Sequence, residues 1–336
     1  MILLSCSGTG GHIYPAIATY QYIGKGAVFL IESQSIAESI LPKYGCKYHS
    51  ISVKRGSKRS LITGFFDALR FIRQNKVTQL ISFGGYATVP VILAAFVCRV
   101  PITLHEQNTV PGKANRLLQR FATKICLSFE ESKRYFSKKK CVMTGNPLRQ
   151  QYPDDSLAKS ITSNSDTNCR KLLIMGGSQG AEAINTFILT HKDQLASSKL
   201  SVIHVVGKNN YAAHFKTEAP ALSQDNSKQI IWQHVDYIEN MQLLYEWADK
   251  IIARAGATTI AELYRYQKEA LFIPYPYASD NHQEENAKAY LAQTGLGDIL
   301  LQRDLSVEKL KAFIESPLKQ SKSAPKQANI QAIISA

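Results

Sequence analysis

Apolar residues fall along this chain in two alternating rhythms. Short apolar runs of strand length stand at 1–5, 27–31, 47–51, 79–82, 101–104, 124–127 and 141–144. Between them, at 13–22, 36–44, 61–74, 89–97 and 114–121, apolar positions recur every three or four residues, the spacing of one helix face. After Lys171 the alternation resumes, with runs at 172–175, 201–206, 229–232, 250–253, 270–273 and 298–301. Strands alternating with helices predict an α/β chain: mostly parallel sheets, right-handed crossovers, and helices on both faces.

Ligands of such sheets sit beyond the carboxyl ends of the strands, and two glycine-rich turns lie at such ends. Ser7-Gly8-Thr9-Gly10-Gly11-His12 follows the first run and opens a helical pattern at Ile13, Ala16, Ile17 and Tyr20, with Pro15 in the first turn. Gly176-Gly177-Ser178-Gln179-Gly180-Ala181 follows 172–175 and opens one at Ala183, Ile184, Phe187 and Ile188. Each arrangement points free N–H groups and the positive end of a helix dipole at an anion. Neither has the G-x-G-x-x-G spacing, so a nicotinamide dinucleotide is not indicated. One such turn alone could be a ligand-free corner. Two, half a chain apart, imply two similar domains, at 1–150 and 171–316. The Ser- and Asp-rich stretch 151–170 reads as a linker with a mobile loop. The polar tail 317–336 turns weakly amphipathic at Ile330, Ile333 and Ile334, with the option of packing back on the first domain.

Charge separates the two halves. Residues 1–150 hold 21 Lys and Arg against 6 Asp and Glu, whereas the rest holds 19 against 20. The first half therefore calls for an anionic partner, nucleic acid or an acidic membrane surface. The six cysteines are scattered without C-x-x-C spacing, which suits buried thiols in a reducing compartment. Residues 1–5 are too short for a secretory signal and 89–98 too short to span a bilayer, so the expectation is a soluble or membrane-surface protein.

Four further stretches bear chemistry. In 251–263 a strand runs into Gly256, Thr258 or Thr259 is placed to cap the following helix, and Glu262 lies near its mouth. That carboxylate suits a pair of ribose hydroxyls; the alternative is a capping box with Thr259. Asp280-Asn281-His282-Gln283-Glu284-Glu285-Asn286 follows a proline-stiffened loop and offers groups for sugar hydroxyls, or an ordinary solvated helix start. His105-Glu106-Gln107-Asn108 follows an apolar strand; a metal site is the rival there, without the spacing to complete one. Thr144-Gly145-Asn146-Pro147-Leu148-Arg149 closes the first domain, with Arg149 placed to reach a phosphate.

The segment 54–73 sets a basic cluster beside Phe65, Phe66, Leu69 and Ile72, which share one helical face. It reads either as an interfacial helix drawn to anionic lipid or as a core-packing helix with a solvated edge. Nucleic acid is disfavoured, because neither an aromatic–basic stacking array nor a helix-turn-helix pattern is present.

In this order and number, the motifs Gly8–Pro15, Gly84-Gly85-Tyr86, 105–108, 145–149, 176–181, 254–262 and His282-Gln283-x-x-Asn286-Ala287 resemble glycosyltransferase family 28, the bacterial peripheral-membrane N-acetylglucosaminyltransferases that make lipid II. The likeness covers about 1–305. It implies the GT-B fold, two Rossmann-like doubly wound domains facing across a cleft. It implies a hexosyltransferase that moves GlcNAc from UDP-GlcNAc to the muramyl 4-hydroxyl of undecaprenyl-pyrophosphoryl-MurNAc-pentapeptide (lipid I), with inversion. No metal or other cofactor is expected. The expected location is the cytoplasmic face of the bacterial inner membrane, in peptidoglycan synthesis. By the same resemblance Glu262 holds the ribose, the Ile238 backbone meets the uracil, and Ser178 with Arg149 contacts the donor phosphates. Ala257, Thr258, Thr259, Ile260 and Ala261 line the donor site, and Gln283 with Asn286 reaches the sugar. Thr9, Gly10, Gly11, His12, Tyr86 and Asn108 line the acceptor side, with Thr9, Gly10, Gly11 and Asn108 also near the donor. His12, Asn108 and Glu262 are the expected catalytic set. Two departures stand out: Ser7 where the family often has glycine, and Asn281 before His282 where it often has aspartate.

His12 is the candidate base, since a neutral imidazole accepts a proton near physiological pH; its alternative role is to bind the acceptor pyrophosphate. Rival functions are another UDP-sugar enzyme on the same fold, such as a UDP-GlcNAc 2-epimerase, and a non-catalytic nucleotide or nucleic-acid binder.

Overall fold

The structure, a computed structural model, describes the chain apart from residues 164–168, 178–179, 196–199, 209, 212–221, 225–230, 326 and 336. It divides into two compact units, Met1–Gln151 with Lys326–Ala336, and Tyr152–Pro325. The first unit holds strands β1 (Ile2–Ser5), β2 (Ala27–Glu32), β3 (Tyr48–Ile51), β4 (Gln79–Ser82), β5 (Ile102–Glu106), β6 (Lys124–Leu127) and β7 (Cys141–Met143). They form one parallel sheet in the order β3-β2-β1-β4-β5-β6-β7. Its strands are apolar at successive positions because both faces are covered. Leu3 packs with Leu80, Leu104 and Ile125 in one core. Its neighbour Leu4 points the other way and packs with Phe29, Ile81 and Cys126.

The second unit repeats the plan with β8 (Arg170–Met175), β9 (Leu200–Val205), β10 (Leu222–Gln224), β11 (Ile231–Val235), β12 (Lys250–Ala253), β13 (Glu269–Phe272) and β14 (Gly297–Ile299). Their order is β10-β11-β9-β8-β12-β13-β14, parallel except for the β10 edge. That short antiparallel edge escaped sequence reading; of the strand expected at 229–232, the described residues show Ile231–Val235, and 229 and 230 lie outside them. In both sheets the order reverses beside the first strand of the unit, between β1 and β4 and between β8 and β12. Each glycine turn read from the sequence leaves that first strand at its carboxyl end, where the crevice of a doubly wound sheet opens.

The structure corrects the linker. Residues 156–163 form a helix of the second unit, with Ala158 and Ile161 buried. Asp155 caps it, accepting from Ala158 N at 2.9 Å, and its other oxygen accepts from Glu239 and Asn240 N at 2.9 and 3.1 Å. Polar composition hid a short helix whose buried positions are only two. The tail from 326 belongs to the first unit: Ile333 is fully buried there, and Asn329 N donates to Thr144 O at 2.7 Å.

For the helix within 54–73 the structure favours the core-packing alternative. In the Lys58–Gln74 helix Ile72 lies in the core, and Phe65 and Leu69 are half-buried against it. Gly64 sits so close to the sheet side that a Cβ would stand 2.5 Å from Val53 Cγ2. Of the expected face only Phe66 is open, at 59% exposure, with Ile62 at 60%. The apolar stripe is the helix's packing face, and a different pair reaches solvent. No helix among the described residues is long and apolar enough to cross a membrane.

Candidate functional site

In the first unit Thr9 caps the Gly10–Ile23 helix through its carbonyl, which accepts from His12 N at 3.0 Å. The N–H groups of Gly10 and Gly11 are left directed out of the helix end. His12 is half-buried, and its Nδ1 lies 2.7 Å from Ser7 O. A carbonyl only accepts, so in the neutral ring Nδ1 bears the hydrogen and Nε2 bears the lone pair. Nε2 stands against Gly84, 3.6 Å from where a Cβ would be, and the Asn115 amide nitrogen lies 3.5 Å from that same point. Gly84 and Gly85 adopt φ of +91° and +101°, and a Cβ on Gly85 would lie 2.5 Å from Ser7 O. The loops after β1 and β4 therefore touch backbone to backbone, which only glycine permits. Tyr86 follows, half-buried on the core.

The polar stretch 105–108, read from the sequence as one cluster, straddles the end of β5 and is split by the structure. His105, Glu106 and Gln107 are buried and turned inward. His105 Nε2 donates to Gly145 O at 3.0 Å, and Gln107 Nε2 donates to Phe83 O at 3.1 Å and lies 3.0 Å from His105 Nδ1. Burial pushes the His105 imidazole down to about 4, so it stays neutral. Glu106 accepts from Asn108 N (3.0 Å), Gly112 N (3.1 Å) and Asn115 Nδ2 (2.9 Å). Only Asn108 is half-exposed, its amide oriented by Glu106 at 3.3 Å.

Arg149 was expected to reach a phosphate. It is buried, with its guanidinium 4.0 Å over the Tyr14 ring and donating to the Tyr44 hydroxyl. A planar cation stacked on a ring keeps its N–H groups in the plane, so the stack aims them as well as hiding the face.

In the second unit the turn after β8 depends on absent side chains. A Cβ on Gly176 would stand 2.2 Å from Ala181 N, and one on Gly180 2.5 Å from Val206 O. Ser178 and Gln179 lie outside the described residues. Behind the turn Asn185 Nδ2 donates to Val206 O at 2.8 Å, His204 Nε2 lies 3.0 Å from Asn185 Oδ1, and His234 Nδ1 lies 3.3 Å from His204 Nδ1. Burial pushes His234 down to about 4. Sequence reading missed this buried relay, as nothing in its spacing marks it.

The Ala257–Tyr266 helix is capped by Gly256, so neither Thr258 nor Thr259 is the cap and the capping-box alternative falls. Ile260 N is the first to enter the helix ladder, bonding Gly256 O at 2.9 Å, which leaves the N–H groups of Ala257, Thr258 and Thr259 pointing outward. Thr258 Oγ1 is shielded from water with no partner among the described residues, and Ala261 lies half-buried one turn on. Glu262 was read as open at this mouth. It lies in the second turn, buried at 6% exposure, and Oε2 accepts from the Tyr245 hydroxyl at 2.7 Å. Ile238 is buried just before the Met241–Trp247 helix. Asn286, fully buried, donates to Ala255 O at 3.1 Å, so it braces the Gly256 turn. Gln283 is half-buried and accepts from Tyr275 N at 2.9 Å. Asp280 and Asn281 both adopt positive φ, 51° and 54°, the left-handed region that Asp and Asn tolerate best. Among the described residues no three His, Cys, Asp or Glu side chains gather as a metal would require.

Both halves match known families. Residues 2–127 match the glycosyltransferase family 28 N-terminal domain and 171–335 its C-terminal domain. The chain is 34% identical over 345 residues to the UDP-N-acetylglucosamine–N-acetylmuramyl-(pentapeptide) pyrophosphoryl-undecaprenol N-acetylglucosamine transferase of Halothermothrix orenii, covering 97% of this chain and 92% of the relative. The crystal structure of Acinetobacter baumannii MurG superposes with a TM-score of 0.71 at 30% identity, covering 92% of this chain and 88% of that one. The UDP-GlcNAc 2-epimerase of Methanocaldococcus jannaschii reaches 0.65 over 98% and 97%, but at 12% identity that likeness shows the fold alone.

Proposed function

The chain belongs to glycosyltransferase family 28, and on that premise we propose that it transfers GlcNAc from UDP-GlcNAc to the muramyl 4-hydroxyl of lipid I, a step of peptidoglycan precursor synthesis. The acceptor oxygen attacks the anomeric carbon. Its proton passes to His12 Nε2, while the bond from that carbon to the β-phosphate oxygen breaks and the electron pair leaves with UDP. One in-line displacement inverts the anomeric centre. The observation that carries the base assignment is the 2.7 Å bond of His12 Nδ1 to Ser7 O, which leaves Nε2 as the basic nitrogen.

The donor belongs to the second unit. Helix-start N–H groups and the glycines of the Gly176–Ala181 turn suit the diphosphate. Glu262, whose carboxylate is oriented by Tyr245, takes the ribose hydroxyls; the Ile238 backbone takes the uracil, and Gln283 takes the sugar. Thr258 Oγ1, shielded and without a partner among the described residues, gains a bond when the donor enters. Tyr86, Thr9, Gly10 and Gly11 serve the acceptor. No metal or other cofactor is assigned.

The enzyme works as a peripheral protein on the cytoplasmic face of the inner membrane. Ile62, Phe66, Phe96, Val97 and Leu117 are exposed in a unit that also exposes Arg59, Arg70, Arg73, Arg99, Arg116 and Arg120, a composition suited to anionic lipid. The test is transfer of radiolabel from UDP-GlcNAc to a lipid I analogue. Labelled lipid product is expected; release of free ManNAc without lipid product would instead identify an epimerase.

A further inference from the structure

One charged group in the first unit has no place in the reaction as read so far. Glu32 ends β2, next to β1 in the sheet. In dinucleotide folds a carboxylate at this place holds a ribose. Here Oε1 is turned in on the first loop, accepting from Gly8 N at 3.3 Å and from Ser7 Oγ at 3.1 Å. Ser7 Oγ in turn accepts from Ala87 N at 3.3 Å, and Ser7 N donates to Gly84 O at 3.1 Å. Every polar group of Ser7 is thus engaged, and its carbonyl is the one that holds His12.

Gly8 N and Ser7 O are the two ends of one peptide bond. That unit is planar and trans, so its N–H and C=O point in opposite directions. Glu32 takes the N–H end and His12 Nδ1 takes the C=O end. A carboxylate pulling on a peptide N–H makes the carbonyl of the same amide a stronger acceptor, and successive bonds polarise one another. Resting on the assignment of His12 as base, we propose that Glu32 is a positioning residue that orients His12 and strengthens Nε2 as a proton acceptor through the Ser7–Gly8 peptide. It does at one remove what a carboxylate bonded directly to a catalytic imidazole does. Ser7, unusual for the family at this place, gives the carboxylate its second anchor.

The other ionisable groups around His12 are accounted for. Cys6, next to Ser7, is fully buried and its thiol is pushed up by burial, so it stays neutral. Glu106 is engaged by Asn108, Gly112 N and Asn115 Nδ2, and these bonds reach neither His12 nor the Ser7–Gly8 peptide. Arg149 lies on Tyr14, two residues along the same helix. Glu32 is the anion joined to the ring through a single peptide.

The experiment is a pH profile of kcat and KM for UDP-GlcNAc with a lipid I analogue, on the full chain carrying Glu32→Gln, Glu32→Asp or His12→Asn, each checked for a wild-type melting temperature. Gln keeps an oxygen for Gly8 N and Ser7 Oγ but removes the charge. Expected for Glu32→Gln is a kcat roughly tenfold lower, KM within about twofold, and an acidic half of the profile moved to lower pH; Glu32→Asp moves it back. Should Glu32→Gln fold poorly, the ring titration of labelled His12 by NMR in Glu32→Asp and wild type gives the second measurement. A Glu32→Gln profile unchanged in shape, or a kcat loss without the pH displacement, overturns the proposal. The base assignment fails separately: His12→Asn would then retain the wild-type profile and turnover.

Discussion

The two units place similar loops at the same point of similar sheets and build them in opposite ways. The loop after β1 is held by side chains: Glu32, Ser7, Glu106, Gln107 and Asn115 together tie its backbone and that of its neighbours. The turn after β8 is shaped by missing side chains, since Gly176 and Gly180 leave no room for a Cβ. The first arrangement fixes the direction of a titratable ring. The second brings backbone N–H groups close to whatever enters. Fold alone therefore does not say what a glycine turn is for; what braces it does.

The comparison breaks most directly at His12. If the first loop exists to aim a base, His12→Ala lowers kcat by about 10²–10⁴-fold and changes KM for UDP-GlcNAc little. A rise in KM for the lipid I analogue with kcat intact would make His12 a ligand for the acceptor pyrophosphate; unchanged kinetics would remove both roles.

Acid probes a feature the units share. His105 in the first and His234 in the second are each held neutral by burial, down to about 4. An unfolded histidine takes its proton near the ordinary value of about 6.5. Between those limits the unfolded chain binds protons that the folded chain refuses, so stability falls as pH drops from about 6.5 toward 4 and is unaffected above 7. Each site contributes roughly 3 kcal/mol to that loss when complete. Denaturant melts at pH 7 and pH 5 should show it, and His234→Gln should flatten the dependence. An equally steep loss in that variant would mean that other groups cause it.

Gly180→Ala comes next. The added Cβ falls 2.5 Å from Val206 O, at φ +75°, where strain of about 1–3 kcal/mol is expected. Because Asn185, His204 and His234 stiffen that carbonyl from behind, the loop has to yield. KM for UDP-GlcNAc should rise about tenfold with kcat nearly kept. A fall in kcat alone would mean that the turn acts on the reacting atoms rather than on the donor.

Why parts of this were legible follows from which interactions are local. Strand runs and glycine turns are read from neighbouring residues, and β4, β6 and β12 fall where the apolar runs lie. Glu32 sits in plain view at the end of 27–31, yet its partners are about 24 residues away, and the spacing rule that reaches so far points to a ribose rather than to the loop itself. The same holds for Tyr245 with Glu262 and for the Asn185–His204–His234 relay. Glu262 was placed in the right helix but given the wrong exposure, because the start of that helix is set by Gly256 rather than by a threonine. The stripe at Phe65, Leu69 and Ile72 has the helical period of a core face and of a lipid face alike; only the position of the sheet behind Gly64 separates them.

That last distinction sets the smallest expected effect and bears on why the two units differ in charge. If membrane attachment belongs to the first unit, it rests on the residues that reach solvent rather than on the stripe. A buried Phe side chain is worth roughly 1.5–3 kcal/mol, and Phe66 at 59% exposure in the free protein retains part of that to give to a bilayer. Phe66→Ser should weaken binding to vesicles containing acidic phospholipid by about tenfold, whereas Ile72→Val, deep in the core, should leave binding alone and cost only stability. Charge is tested on the same vesicles: raising salt should weaken attachment of the wild type and of Phe66→Ser in parallel, since the arginines remain in both. Were binding insensitive to Phe66 but lost in salt, attachment would be electrostatic alone, and the exposed apolar residues would belong to some other contact of this unit.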